Sequence, residues 1–458
     1  MKKSILAVVI LLLIIVSLPT IGNTFIQNSI DERLTELDSF GLETLKDESR
    51  VSYLNTSRHL EFILKDSQSF LNYLSQYSDK QIPPYVNAML EGILIGTDIK
   101  YSNLPFAKAF EIEIYPMQLS QKMSEELQKD DINVYKNLKN FLASKGILYH
   151  IKYNLLNSDF KGYIKDIKEH IALSDGTELK ISLDGAKFSG NGVLLAPNEL
   201  SSKIKELHFE LLQKEKSLKI VLNKLKSSSN FESINTCLTS VDLDTMFLTL
   251  KGTGDDVNIS IEQLRANASS NDQGDSTQLN SKTSIKSFNF SSKSSTLNIE
   301  KFNFDIAMSG LDKKEYLKLT ELLSQSNSMM NPKSNVALQT NLINLLSKGT
   351  VLEIANFSID EFSDKTSKKI KGFSIKSNVT IKEDKELAHK MKVSPFLAIP
   401  NISLESELRI SKELYTKLQN TNKMFTRLKA YEKEDGDDYI FVVKFVDTKA
   451  SINAKSIN

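Results

Sequence analysis

The chain has 458 residues, 58 Lys+Arg against 57 Asp+Glu, a formal net charge of +1 and one cysteine, Cys237. A near-neutral balance excludes duplex nucleic acid as a partner, because neutralising phosphates takes a concentrated basic surface. A single cysteine excludes an internal disulfide, and 40% hydrophobic with 25% charged residues is the composition of a body that folds around its own core.

In chain order, the first feature is an uncharged apolar run from Ile5 to Leu18 behind Lys2 and Lys3. Extended through Phe25 and Ile26, it approaches the roughly 20 residues that cross about 30 Å of hydrocarbon. A cleavable signal peptide shares the lysines, the apolar core and Pro19, but Thr20 and Gly22 match an alanine-type cleavage site poorly. The expectation is an uncleaved signal-anchor over residues 1–26, with the lipid bilayer as its partner. Lys2 and Lys3 precede the run and Asp31 and Glu32 are the first charges after it, so the N-terminus is cytoplasmic and the body is exported. In a bacterium that describes a single-pass protein of the inner membrane with a periplasmic body. Cys237 lies far from the leader and is no lipid-modified N-terminal cysteine. Phe25 to Leu37 continues outward as a helix with Ile30, Leu34 and Leu37 on one face.

Period-two alternation then recurs and predicts strands. The stripes are Leu179, Ile181 and Leu183; Val257, Ile259 and Ile261; Phe302, Phe304, Ile306 and Met308; Phe373, Ile375, Val379 and Ile381; and Ile402, Leu404, Leu408 and Ile410. Tyr439 to Phe445 is apolar at nearly every position and reads as a strand covered on both sides. Short polar turns such as Ser182 to Gly192 and Lys251 to Asp256 make an antiparallel meander the economical topology. Helical spacing interrupts the strands at Met123 to Leu127 and at Val134 to Leu142, closing at Gly146. It returns at Tyr316, Leu319 and Leu323 behind an Asp312/Glu315 capping box, at Leu338, Leu342 and Leu345 closing at Gly349, and at Leu414, Leu418 and Phe425 before Tyr431. Leucines at helical spacing are packing before they are a ligand box, so these faces are assigned to the core. The reading is an α+β body, mainly antiparallel β-sheet with interspersed amphipathic helices, behind one N-terminal transmembrane helix.

NLKNFLASKGILYHI (Asn137 to Ile151) and NLINLLSKGTVLEI (Asn341 to Ile354) align with a one-residue gap, each closing a helix with Lys-Gly before a strand. Upstream, Phe110, Ile112 and Ile114 correspond to Phe302, Phe304 and Ile306. Two related halves follow, over 27–267 and 285–458. The Ser-rich stretch Ala268 to Ser284 is the join between them, or else a long hairpin loop.

The Lys-flanked anchor, FDIAMSGLDKKEYLKLTELL (Phe304 to Leu323) and NLLSKGTVLEIANFSI (Asn344 to Ile359) resemble the YdgA-like bacterial envelope proteins over most of the chain, with a layout similar to AsmA-type proteins. The resemblance implies an inner-membrane-anchored periplasmic protein and supplies no catalytic residue.

Chemistry-bearing residues do not converge in the sequence. His59, His150, His170, His208 and His389 lack a second ligand at metal spacing, and Cys237 has no nucleophile elbow and is assigned to the core. Lys251-Gly-Thr-Gly254 lacks the ending of a phosphate loop and reads as a hairpin turn. Glu432, Glu434, Asp435, Asp437 and Asp438 lack the alternate spacing of a calcium loop and read as a solvated turn. Asp256-Val-Asn258-Ile-Ser260 fits an extended bacterial glycosylation sequon centred on Asn258. No catalytic, cofactor-binding or metal residue is assigned, and neither enzymatic activity nor a cofactor is expected. Two classes of function remain: a non-catalytic envelope scaffold that docks other envelope proteins, and a carrier of lipid or another hydrophobic ligand. A closed core behind the apolar stripes favours the scaffold; an open apolar channel favours the carrier.

Overall fold

A computed structural model of the protein describes residues 20–457 except 21–22, 25, 76–89, 105–108, 194–195, 234–235, 253, 255, 325–331 and 366–367. Almost all of the anchor expected over 1–26 lies outside the described residues. Among those described, no helix is long and apolar enough to cross a membrane. The chain packs as two units, Met1–Glu206 and Leu207–Asn458. Both are α+β with mainly antiparallel sheet.

Unit 1 carries β1 (Leu42–Val51), β2 (Asn55–Leu64), β3 (Leu94–Ser102), β4 (Ala109–Gln118), β5 (Tyr149–Asn154), β6 (Asp159–Ile164), β7 (Ile167–Ala172), β8 (Thr177–Asp184), β9 (Lys187–Val193) and the start of β10 (Ala196–Gln213). They pair antiparallel in the order β1-β2-β3-β4-β5-β6-β9-β10, and β7 with β8 forms a side hairpin. The turn expected from Ser182 to Gly192 is therefore mostly strand, with only Gly185 and Ala186 between β8 and β9.

Alternation sends Leu60, Phe62, Leu64, Ile99 and Tyr101 to one face, where each is buried. The helix over 26–39 lays Ile26, Ile30, Leu34 and Leu37 on that face, as its spacing predicts. Full burial of such side chains is worth about 1.5–3 kcal/mol each. Arg58 also points to this apolar face, its side chain 6% exposed. It survives there because Nε and Nη2 donate to the two carboxylate oxygens of Asp47 at 2.8 and 2.5 Å, while Nη2 also reaches Asp31 of the helix at 2.5 Å. The guanidinium ties helix to sheet.

The helix Ile132–Ala143 ends in a Schellman closure. Gly146 N–H donates to Phe141 and Lys145 N–H to Leu142. The left-handed residue is Lys145 (φ 53°) rather than the expected Gly146. Glycine is needed at 146 for another reason, since a Cβ there would lie 2.1 Å from the Phe141 ring.

Unit 2 continues with β11 (Lys216–Ser233), β12 (Thr236–Lys251), β13 (Val257–Gln273), β14 (Ser276–Ser291), β15 (Thr296–Asp312), β16 (Val351–Asp364), β17 (Ile370–Ile381), β18 (Ile402–Ser411), β19 (Glu434–Asp435), β20 (Asp438–Val446), β21 (Lys449–Ile452) and β22 (Lys455–Ser456). From β11 to β18 each pairs antiparallel with the next; β20 then pairs with β18, β19 and β21, and β21 with β22. The stretch Ala268 to Ser284 is no join. Its residues are the arms of the β13–β14 hairpin, Ala268 opposite Ser281, around a turn at Gly274 and Asp275. The low apolar content that suggests a linker reflects small side chains in strands whose ladders continue on both sides.

Two helices link β4 to β5 and again β15 to β16, at the two Lys-Gly segments. The ladders place Ile112 opposite Ile151 and Ile306 opposite Ile354, so the upstream correspondence moves by two residues, to Phe110 with Phe304 and Ile112 with Ile306. A longer connection joins β18 to β20, with two helices, a 3-10 turn at Leu428–Tyr431 and β19, and without a Lys-Gly sequence. Asp312 caps Lys313–Ser324 through the Glu315 N–H at 2.9 Å. On Pro332–Leu345, Leu345 is buried but Leu342 is exposed, because that helix meets the sheet along a narrower stripe than its leucines span. Leu414, Leu418, Phe425 and Tyr431 pack as expected over Ile370, Ile410 and Phe441. Ile440 and Val442, on the far face of β20, stay half-exposed, so that strand is covered on one side only.

Replacing Arg58 by Ala is expected to destabilise unit 1 by about 3 kcal/mol, the low end for breaking a buried pair, because the stranded carboxylates can still reach water. A fall in denaturation midpoint at unchanged slope checks this; a shift under about 0.5 kcal/mol contradicts it.

Candidate hydrophobic-ligand face

Register in unit 2 aligns apolar side chains into rows across the sheet. One row is Leu222, Met246, Ile261, Phe288, Ile299 and Phe362. The next is Ile220, Leu248, Ile259, Phe290 and Leu297. A third runs Leu225, Leu243, Leu264, Ile285, Phe302, Ile359, Phe373 and Ile410. The intervening positions face the other way and, apart from Val221 and Phe247, are polar: Asn223, Thr245, Glu262, Ser287, Glu300 and Glu361 form one such row.

Keeping every row on its face requires a slip in the alternation. On β13 the apolar positions are 257, 259 and 261, then 264 and 266; on β15 they are 297 and 299, then 302, 304 and 306. The slip falls at Lys224, Asp244, Gln263, Lys286, Lys301, Asp360 and Gly372, one row where the ladder skips a pair without changing register. Lys224, Gln263 and Lys301 take left-handed backbone there (φ 50–52°), a conformation that lets one residue be inserted without turning the strand over. Gly372 is required at this seam, since a Cβ would sit 2.0 Å from the Ile359 carbonyl oxygen. Lys224 meets Asp244 at 2.8 Å and Lys301 meets Asp360 at 3.0 Å along the row.

Coverage of the apolar face changes along the sheet. At β17, β18 and β20 the helix Lys412–Thr421 sits on it, and Ile370, Ile410 and Phe441 are only 1–2% exposed. Tyr415 of that helix packs on Phe441, and burial pushes its phenol up to about 12. Across β11 to β15 the same rows are half-exposed, Leu243 alone being buried. This open part is about 20 Å wide and about 17 Å long on β12, on the order of 340 Å², within the range of the largest apolar patch of a monomer, which is often functional. Phe302, Phe304, Phe357 and Phe373 form an edge-to-face cluster, with centroids 5.3–6.0 Å apart, where the open part meets the capped part. Across β11 to β15 the three rows carry no polar side chain, so this part of the face offers contact area without directional recognition; the second row meets Asp364 only on β16.

Unit 1 holds the densest polar constellation, and it is one cross-strand row: His59, Asp98, Glu113, His150 and Tyr163. Asp98 accepts from His59 Nδ1 at 2.7 Å, Tyr115 Oη at 3.0 Å and Lys145 Nζ at 2.6 Å. Burial pushes the Asp98 carboxyl up, but these donors outweigh it and hold it below the ordinary carboxylate range. Hydrogen bonding to Asp98 raises the His59 imidazole against opposing desolvation, and its Nε2 faces Glu61 at 3.2 Å. The His150 ring stacks on Tyr163, 4.8 Å between centroids, with Nδ1 3.5 Å from Glu113. Asp98 has three donors and both His59 nitrogens face carboxylates, so the arrangement works as a lock on the register of β2 to β5.

The remaining sequence candidates are dispersed. His170 faces Glu178, His208 lies beside Glu210, and His389 is exposed. Among the described residues no three His, Cys, Asp or Glu side chains gather as a metal site. Cys237 is half-buried rather than core, its Sγ 3.3 Å from Ser270 Oγ. Lys251 to Asp256 is the β12–β13 turn. The acidic cluster is the β19–β20 hairpin, where Arg409, Lys412 and Lys371 answer Asp435, Glu434 and Asp438. Asn258 is exposed on the polar face of β13. Comparison with protein-family models, curated proteins and solved structures returns no match.

The polar row predicts a pH dependence. His59 has a raised folded pKa, so its contribution is complete below about pH 6.5 and is lost as pH rises through the folded value. Asp98 has a lowered one, so its contribution is complete above about pH 4 and is lost as pH falls through the folded value. Thermal scans of the wild type should show a melting temperature that drops between pH 6 and 8.5, and His59→Gln should flatten that drop; equal slopes in the two proteins contradict the assignment.

Proposed function

We propose that this protein is a membrane-tethered carrier of lipid, with the open face of β11 to β15 taking the acyl chains. The observation that supports it is a single apolar surface, buried under the helix Lys412–Thr421 at β17 to β20 and half-exposed along three rows across β11 to β15. Hydrocarbon chains suit a lining with area but no convergent polar group. The bilayer core is about 30 Å thick, so one acyl chain spans about 15 Å, and the open face has room for more than one.

The tether is the apolar run Ile5 to Leu18, read as a single-pass anchor with a cytoplasmic N-terminus and a periplasmic body in a bacterial inner membrane. The resemblance to YdgA-like envelope proteins agrees with that placement, and the paired Lys-Gly segments support a reading in two related halves. No enzymatic activity is proposed. The scaffold reading draws its support from the capped core at β17 to β20; under it, a protein partner covers the open face.

A photo-crosslinking phenylalanine analogue at Phe288, on the open face, is expected to capture lipid in membranes. The same analogue at Phe247, exposed on the polar face, is expected to capture none. Protein adducts at 288 without lipid would favour the scaffold, and no lipid at either position would end the carrier reading.

A further inference from the structure

The antiparallel order of unit 1 brings four strand-to-strand connections to one end of its sheet, β1 to β2, β3 to β4, β5 to β6, and β9 to β10, of which 105–108 and 194–195 lie outside the described residues. Their tips expose large apolar side chains. Val51, Tyr53 and Leu54 are on the first, Leu155 and Leu156 on the third, and Val193 on the fourth, with Leu156 64% and Val193 60% exposed. Hairpin tips ordinarily carry polar turn residues, so a line of apolar ones needs a cause.

The chain enters the unit at this same end. Asn23 is buried there, its Oδ1 accepting from Thr56 Oγ1 at 2.8 Å and Tyr101 Oη at 3.1 Å, beside the first and second turns. Asn23 follows the last residue of the apolar run, Leu18, by only five positions. The described chain therefore starts at the same end of the sheet as the tips. Behind the tips, on the polar face, one cross-strand row contains Arg50, Lys100, Glu111, Lys152 and Lys161. Glu111 is its one carboxylate and is held by Lys152 at 2.5 Å. A groove of about 580 Å³ lies at this end, lined by Arg50, Lys100, Tyr101 and Glu111 among others.

We infer that the hairpin tips of unit 1 dip into the surface of the bilayer that holds the N-terminal run, with the basic row at the level of anionic lipid headgroups. Apolar tips backed by cations match the layering of a membrane interface, where side chains such as Tyr and Leu enter the acyl boundary while Lys and Arg meet phosphate. The tether reading is a premise of this inference; the carrier role of unit 2 is not.

The protein has no tryptophan, so single replacements report on their own sites. Full-length Tyr53→Trp and Leu156→Trp, reconstituted in equimolar phosphatidylcholine and phosphatidylglycerol, should show blue-shifted emission and quenching by acyl chains brominated near the headgroup. Leu45→Trp, exposed on β1 about 20 Å from Val51 toward the other end, should show neither. Reversing Lys100 and Lys161 to Glu should reduce quenching at position 53, as should high salt. If the chain floats with vesicles but positions 53 and 156 are unquenched, or position 45 is quenched as strongly, the tip docking is overturned and the tether stands. If the chain does not float with vesicles, the tether reading fails and this inference falls with it.

Discussion

In an antiparallel sheet every side chain has neighbours on its own face along its strand and across both adjacent strands, so one residue out of phase puts a polar group among apolar ones in three strands at once. Both units live under that constraint, and their long-range order is the result of meeting it row by row. In unit 1 the rows through Leu60 and Ile99 are apolar except at Asp47, Thr97, Ser49 and Arg58, while the adjacent row stays ionic from His59 to His150. In unit 2 strands of 16–18 residues keep phase over distances at which twist and sequence drift would ordinarily spoil it.

The units meet the constraint alike and use the result differently. Unit 1 covers the start of its apolar face with the helix over 26–39 and admits one charge, Arg58, whose guanidinium is satisfied by two carboxylates. Unit 2 covers its face at β17 to β20, where Leu414 and Tyr415 complete a core, while its rows across β11 to β15 stay half-exposed, with the helices Lys313–Ser324 and Pro332–Leu345 reaching β14 and β15. Half-exposed leucine and phenylalanine in such rows contribute less than their transfer free energy to folding. The unrealised part is available to a ligand with hydrocarbon of its own.

Local periodicity carried most of the architecture in the sequence. Phe302 to Met308 and Ile402 to Ile410 are strands with the expected faces, and Ile30, Leu34 and Leu37 do line one side of a helix. Boundaries and sites were harder to read. Nothing in the composition of Ala268 to Ser284 separates a serine-rich linker from a serine-rich strand, because backbone pairing with neighbours decides it. The row of His59, Asp98, Glu113 and His150 is invisible in one dimension, since His59 and Asp98 lie 39 positions apart and only register brings them together. A search for a strict two-residue period also loses the stripe at Lys224, Gln263 and Lys301, where the period lapses so that the face can continue. At Lys-Gly the sequence pointed to the right closure and the wrong residue, because the Phe141 ring, not backbone conformation, demands glycine at 146.

The seam also bears on how such a sheet can change length. Because each of the strands from β11 to β17 carries its own compensating step at the same height, two consecutive strands form a module that matches itself on either side. Adding or losing a hairpin of this kind would widen or narrow the greasy surface without inverting any neighbour, whereas losing a single residue away from the seam would turn the remainder of its strand inside out.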